Sequence, residues 1–162
     1  MNDARRHLIR ILQNAHAGEL AAAYAYRGHW RSLRNSAEKE RIKKIEAEEW
    51  RHRECVRGWL EKLDARPRRL REAVFWTIGR TLGLMCFVSG WFLPMYFAGR
   101  LESQNVREYV EAARYAKELK MLDCFGEMME MSRVEREHED FFSGAVAGHR
   151  LLPVTRTFFK WS

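Results

Sequence analysis

Only three prolines and ten glycines occur in 162 residues, and no stretch alternates apolar and polar side chains as a half-buried strand would. This scarcity excludes a β-rich or loop-rich domain. Cysteine is equally sparse. Cys55, Cys86 and Cys124 are odd in number, far apart and without a C-x-x-C pair, which excludes a disulfide framework or a thiolate metal site. Reduced, packed thiols in a cytosolic setting are the expectation. The N-terminus has no apolar stretch of the kind a secretion signal needs, so none is expected. What abounds instead is Ala, Leu, Glu, Arg and Lys, all good helix formers. With 46% hydrophobic residues, a chain of this length can build one cored domain. An all-α fold follows. The net charge is +7, with basic clusters at Arg5/Arg6/Arg10, Arg27/Arg31/Arg34 and Arg66/Arg68/Arg69/Arg71. Such clusters either attract anionic partners or simply solvate the surface.

A first helix is expected over Asp3–Trp30, a turn near 32–36, and a second helix over Ser36–Leu63. Asp64–Pro67 then breaks the pattern. From Ala73 to Gly99 the chain is largely apolar, and the 19 residues Thr81–Gly99 carry no charge, which touches the length of a membrane span. Gly90 and Pro94 should interrupt this run. The reading is a short apolar helix, a break near Gly90, and a helix with Pro94 in its first turn running to about Arg114. The last core helix is expected over about Lys117–Ala145, before a basic, aromatic tail ending Phe158-Phe159-Lys160-Trp161.

The apolar stripes of these helices advance in steps of three and four residues, and each is interrupted by ionisable side chains. The first reads Leu8, Leu12, Ala15, Glu19, Ala22, Tyr26. The second reads Ile42, Ile45, Glu49, His52, Val56, Trp59, Leu63. The third reads Trp91, Met95, Ala98, Glu102, Asn105, Tyr109. The fourth reads Met121, Phe125, Met128, Met131, Glu135, His138, Phe142, Ala145. A buried carboxylate without a partner either costs several kcal/mol or takes up a proton. Four of them call for a shared positive charge, yet no stripe carries Lys or Arg at these positions. Two divalent metal ions balance four carboxylates and two neutral imidazoles. Oxygen and imidazole donors suit iron, with manganese as a substitute.

Six His and 18 Glu in this length give about 0.7 Glu-x-x-His pairs by chance, so two pairs alone say little. The order matters more: Glu19, then Glu49-x-x-His52, then Glu102, then Glu135-x-x-His138. Di-iron carboxylate bundles draw one Glu from each of two helices and a Glu-x-x-His from each of the other two. The expected fold is therefore a ferritin-like four-helix bundle over residues 1–145, with an extra apolar helix before the third ligand helix and a tail over 146–162. Tyr26 and Tyr109 share the ligand stripes and are the candidate catalytic side chains, against the ordinary reading that they are core. His16 and Asn105 are candidates to support the ligands. His7, His29 and His149 have no convincing partners.

These segments resemble the demethoxyubiquinone hydroxylase family. The resemblance rests on His16-Ala-Gly-Glu19 followed by Tyr26-Arg-Gly28, on Glu46-Ala-Glu-Glu49-Trp-Arg-His52, and on Trp76-Thr-Ile-Gly79 with Leu82-Gly83. It continues through Leu101-Glu102-Ser103 with Tyr109, and Arg133-Val-Glu135-Arg-Glu-His138-Glu-Asp140. It covers roughly Ala15 to Asp140. It implies a di-iron monooxygenase that hydroxylates the ring of a late ubiquinone precursor with O₂ and electrons that can come from NADH. It also implies a peripheral protein on the cytoplasmic side of an anionic membrane, whose substrate carries an isoprenoid tail. A homo-oligomer or a lipid-binding accessory protein is a candidate partner; nucleic acid is not expected. The chain departs from the family at Glu108, where a histidine often precedes the tyrosine, and in a bulkier apolar segment (Trp76, Phe87, Trp91, Phe92). The same centre also fits a rubrerythrin- or ferritin-like peroxidase or iron oxidase, a di-iron tRNA hydroxylase, or a non-enzymatic helical scaffold. The long apolar segment weighs against the first of these.

Overall fold

The computed structural model describes residues 3–161 and contains six helices and, among the described residues, no strand. Met1, Asn2 and Ser162, the ends of the two expected segments, lie outside them. Helices α1 (Asp3–Ser32) and α2 (Ser36–Lys62) are joined by a tight turn in which the Asn35 side chain accepts from the Glu38 N–H at 3.1 Å and caps α2. Helix α3 (Arg69–Met85) lies outside the bundle, against α1. Helices α4 (Phe92–Glu118) and α5 (Leu122–Val146) pair with each other and close the bundle on α1 and α2. A short α6 (Leu152–Phe158) follows.

The apolar run breaks where expected. After α3 the chain turns through Gly90, whose φ of 77° lies in the left-handed region that glycine tolerates, and Pro94 falls in the first turn of α4. No described helix is long and apolar enough to cross a membrane. The α4–α5 junction falls later than expected. Buried Ala112, Ala113 and Ala116 prolong α4 to Glu118, and Lys120 makes the turn at a φ of 57° without a glycine or proline to announce it. The stripe of α5 is also rotated at its start. Cys124 is buried there, whereas Met121 and Phe125 are half-buried.

Two glycines mount α3 on α1. A Cβ on Gly28 would stand 2.2 Å from the Gly83 carbonyl oxygen, and one on Gly79 2.4 Å from that of Ala21. Backbone meets backbone at both points, so no side chain fits. His16 belongs to the same seam: it is buried, and its Nδ1 lies 2.8 Å from Glu72 of α3, which also pairs with Arg53 at 2.6 Å. The tail folds back on the other end of the bundle. Trp161 packs against Gly99 and donates to Glu139 at 3.0 Å, and Arg100 donates to the Lys160 carbonyl at 2.8 Å.

The apolar core is divided in two. One part gathers Leu8, Leu12, Val56, Leu60, Ala113 and Met128; the other gathers Ile42, Ile45, Met95, Tyr96, Phe142 and Val146. Burying each large side chain contributes about 1.5–3 kcal/mol. On all four bundle helices, the ionisable residues of the stripe fall between the two parts.

Candidate metal centre

Each of the six expected ligands is buried, with Glu49, Glu102, Glu135 and His138 fully enclosed. Helical spacing explains how they meet. Positions i and i+3 share a face, so α2 delivers Glu49 with His52 and α5 delivers Glu135 with His138. Two overlapping groups result. Glu19, Glu49, His52 and Glu135 can offer one donor atom each within 4.8 Å of one another, and so can Glu49, Glu102, Glu135 and His138. Glu49 and Glu135 are common to both. His52 Nδ1 lies 2.8 Å from Glu135 Oε1, while His138 Nδ1 lies 3.3 Å from both Glu49 Oε1 and Glu135 Oε2.

The side chains alone do not satisfy this cluster. Glu19 Oε2, both oxygens of Glu49, Glu135 Oε2 and His138 Nδ1 are buried without a hydrogen-bond partner. Buried polar atoms are nearly always paired, so five orphaned ligand atoms in one place fit a cation that would engage them. The ion pairs recorded for Glu49, Glu102 and Glu135 are with imidazole rather than with lysine or arginine. Without a cation, burial pushes the Glu49 and Glu102 carboxyls well above the usual range, and the negative charge of Glu135 pushes them further. Burial raises Glu19 as well. Burial acts on Glu135 in the same sense, but the neighbouring imidazoles of His138 and His52 outweigh it and hold that carboxyl low. Divalent cations remove this conflict, and the oxygen and imidazole donors suit iron or manganese.

Groups around the cluster aim the ligands. Tyr26 donates its hydroxyl to Glu102 Oε1 and Tyr109 donates to Glu19 Oε1. Asn105 donates to Glu102 Oε2 at 3.1 Å, the supporting place expected for it. His16 is engaged with α3 instead. One residue escaped the sequence reading. Glu48 Oε2 lies 2.8 Å from His138 Nε2, while Arg41 and Lys44 hold the same carboxylate at 3.3 and 3.6 Å. With the proton on Nε2, that bond leaves the Nδ1 lone pair facing the cluster. Its only signal was register: Ile45, Glu48 and His52 also follow steps of three and four.

An apolar cavity of about 290 Å³ adjoins the centre between α1, α3 and α4. Ala22, Tyr26, Leu82, Met85, Phe97 and Leu101 line it. Tyr26 therefore has its ring in the cavity wall and its hydroxyl on Glu102. Glu108 faces elsewhere, onto a polar groove with Arg10, Asn14, Gln104 and Glu111. Burial, with Glu19 and Glu111 nearby, raises its carboxyl to about 7.

A helical bundle that buries two overlapping carboxylate–imidazole groups beside an apolar cavity has the architecture of a di-metal carboxylate protein. The family is specific. The ubiquinone biosynthesis protein COQ7 family model matches residues 6–141, and the chain belongs to that family. Neither a curated protein nor a solved structure gives a significant match. Membership carries the chain into ubiquinone biosynthesis as a hydroxylase.

Proposed function

We propose that this chain is a di-iron monooxygenase that hydroxylates the ring of a quinone-like ubiquinone precursor. Glu19 and His52 would hold one iron, Glu102 and His138 the other, with Glu49 and Glu135 shared between them. When bound, the metal pair would supply activation of O₂: one oxygen atom enters a ring C–H bond, and the other leaves as water after two electrons and two protons are delivered, with NADH as the electron source. The chain's own residues do the rest. Tyr26 and Tyr109 hold Glu102 and Glu19 in place through their hydroxyls and keep a proton beside each carboxylate. The apolar wall excludes water from the ring.

The observation that carries this reading is the cavity against the centre. A peroxidase or iron oxidase needs only a polar path, whereas a cavity walled by Leu82, Met85 and Phe97 suits a flat, greasy ring. The exposed Leu70, Leu84, Met85, Phe87 and Val88 on and after α3, on a chain of charge +7, favour docking on an anionic membrane surface. A cytoplasmic membrane face would supply both the isoprenoid substrate and that surface. A second copy or a lipid-binding accessory protein would cover the same apolar residues.

The test is to incubate iron-loaded protein with a demethoxyubiquinone-type quinone, NADH and O₂ and to read the product by mass. A ring product heavier by one oxygen atom is expected, and none from Glu19→Ala or Glu135→Ala. Both variants should keep their helicity by circular dichroism and lose iron. Full iron occupancy in the two variants would refute the ligand assignment.

A further inference from the structure

Outside the carboxylate cluster, His29 is buried with Nε2 lacking any hydrogen-bond partner. It lies three residues after Tyr26 and shares its surroundings. The Tyr26 ring stacks on Phe142 at 5.8 Å and 8°, and the His29 ring does so at 6.2 Å and 13°. Both side chains line the apolar cavity. Burial alone, with no charged neighbour contributing, lowers the imidazole to about 4, so the ring is neutral at physiological pH. A neutral imidazole nitrogen donates or accepts one hydrogen bond according to its tautomer. An unpaired one in a hydrocarbon wall is unfavourable unless a bound molecule completes it.

We infer that His29 is the polar anchor of this cavity, making one hydrogen bond between Nε2 and a ring oxygen of the ligand. The inference rests on the quinone reading and adds to it a residue that determines specificity. The ligand it fits is a planar ring with oxygen substituents and an apolar tail. One tautomer serves a quinone carbonyl, the other a quinol hydroxyl. The ring would lie near Tyr26, hence near Glu102, with its tail along Leu82, Met85 and Phe97. His29 binds and orients but touches no expected metal ligand.

The test uses the full iron-loaded chain without O₂ or reductant, titrated by calorimetry with two probes. One is a 1,4-benzoquinone with a short isoprenoid tail; the other is a phenyl ring with the same tail and no oxygen. Wild type should hold the quinone more tightly. His29→Leu should weaken the quinone about tenfold and leave the hydrocarbon unchanged, while His29→Gln, which keeps a hydrogen-bonding side chain, should retain most of the affinity. Unliganded His29→Leu should also melt above wild type, because it removes an unpaired polar atom. A folded His29→Leu that binds the quinone like wild type overturns the assignment. So does equal weakening of both probes, which would mark a packing role, or equal binding of both probes by wild type. Wild-type protein that takes neither probe overturns the quinone reading itself.

Discussion

Glu48→Ala tests how the centre aims its ligands. In the folded chain Glu48 Oε2 accepts from His138 Nε2 at 2.8 Å, and His138 is wholly buried. Truncation leaves a buried N–H without an acceptor and lets the proton move to Nδ1, the nitrogen that faces Glu49 and Glu135. Losing such a support typically costs 10- to 100-fold in metal affinity, about 1.4–2.7 kcal/mol. Loss of the partly exposed pairs with Arg41 and Lys44 adds under about 1 kcal/mol, and shows in melting rather than in metal binding. The assay is an anaerobic titration with iron(II) or cobalt(II) that resolves two sites. One site should weaken by that factor, the one built on Glu102 and His138, while the site built on Glu19 and His52 holds. Glu48→Gln keeps an acceptor oxygen and should fall between. Two sites of wild-type affinity in Glu48→Ala, or equal weakening of both, would refute the reasoning.

Packing predicts opposite fates for a glycine in the α1–α3 seam and one on an open face of α2. Gly28→Ala forces a Cβ to 2.2 Å from the Gly83 backbone and should cost about 2–3 kcal/mol, seen as a melting temperature lower by about 4–10 °C. Gly58→Ala meets nothing within 4 Å inside α2 and should stabilise by about 0.5–1 kcal/mol; a Gly28→Ala protein that melts like wild type would discredit the close approach. Glu108 has a raised carboxyl, about 7 in the folded chain against 4.5 ordinarily. The folded state thus binds the proton more tightly, and stability present below about pH 4.5 is lost as pH rises through about 7. Glu108→Gln should therefore gain about 1–2 kcal/mol over wild type at pH 8 and little at pH 4 in denaturant melts. Equal gains at both pH values would count against the shift.

The four bundle helices and the meeting of six side chains were legible because both are local. A carboxylate on an apolar stripe is visible in the sequence, and helical periodicity carries it to the core. The break at Gly90 and Pro94 was legible for the same reason. What escaped depended on distant partners or on silent residues. Glu48 looks like one more glutamate in a Glu-rich helix until α5 places His138 beside it. His29 has no partner in the sequence and none for its Nε2 in the fold, and its setting appears only when Gly28 and Gly83 bring α3 down on α1. The α4–α5 turn uses Lys120 in a conformation that its sequence does not signal. The return of Trp161 to Gly99 spans too much chain for any local pattern.

The division of the apolar core makes the middle of the bundle its weakest section. Each end of the bundle packs on its own apolar side chains, whereas the middle is a band of buried carboxyls and imidazoles, several of whose polar atoms are left unpaired. Cations bound there would act as rivets between the two halves. Without them the waist would be the first place for hydrogen exchange and for a protease to enter.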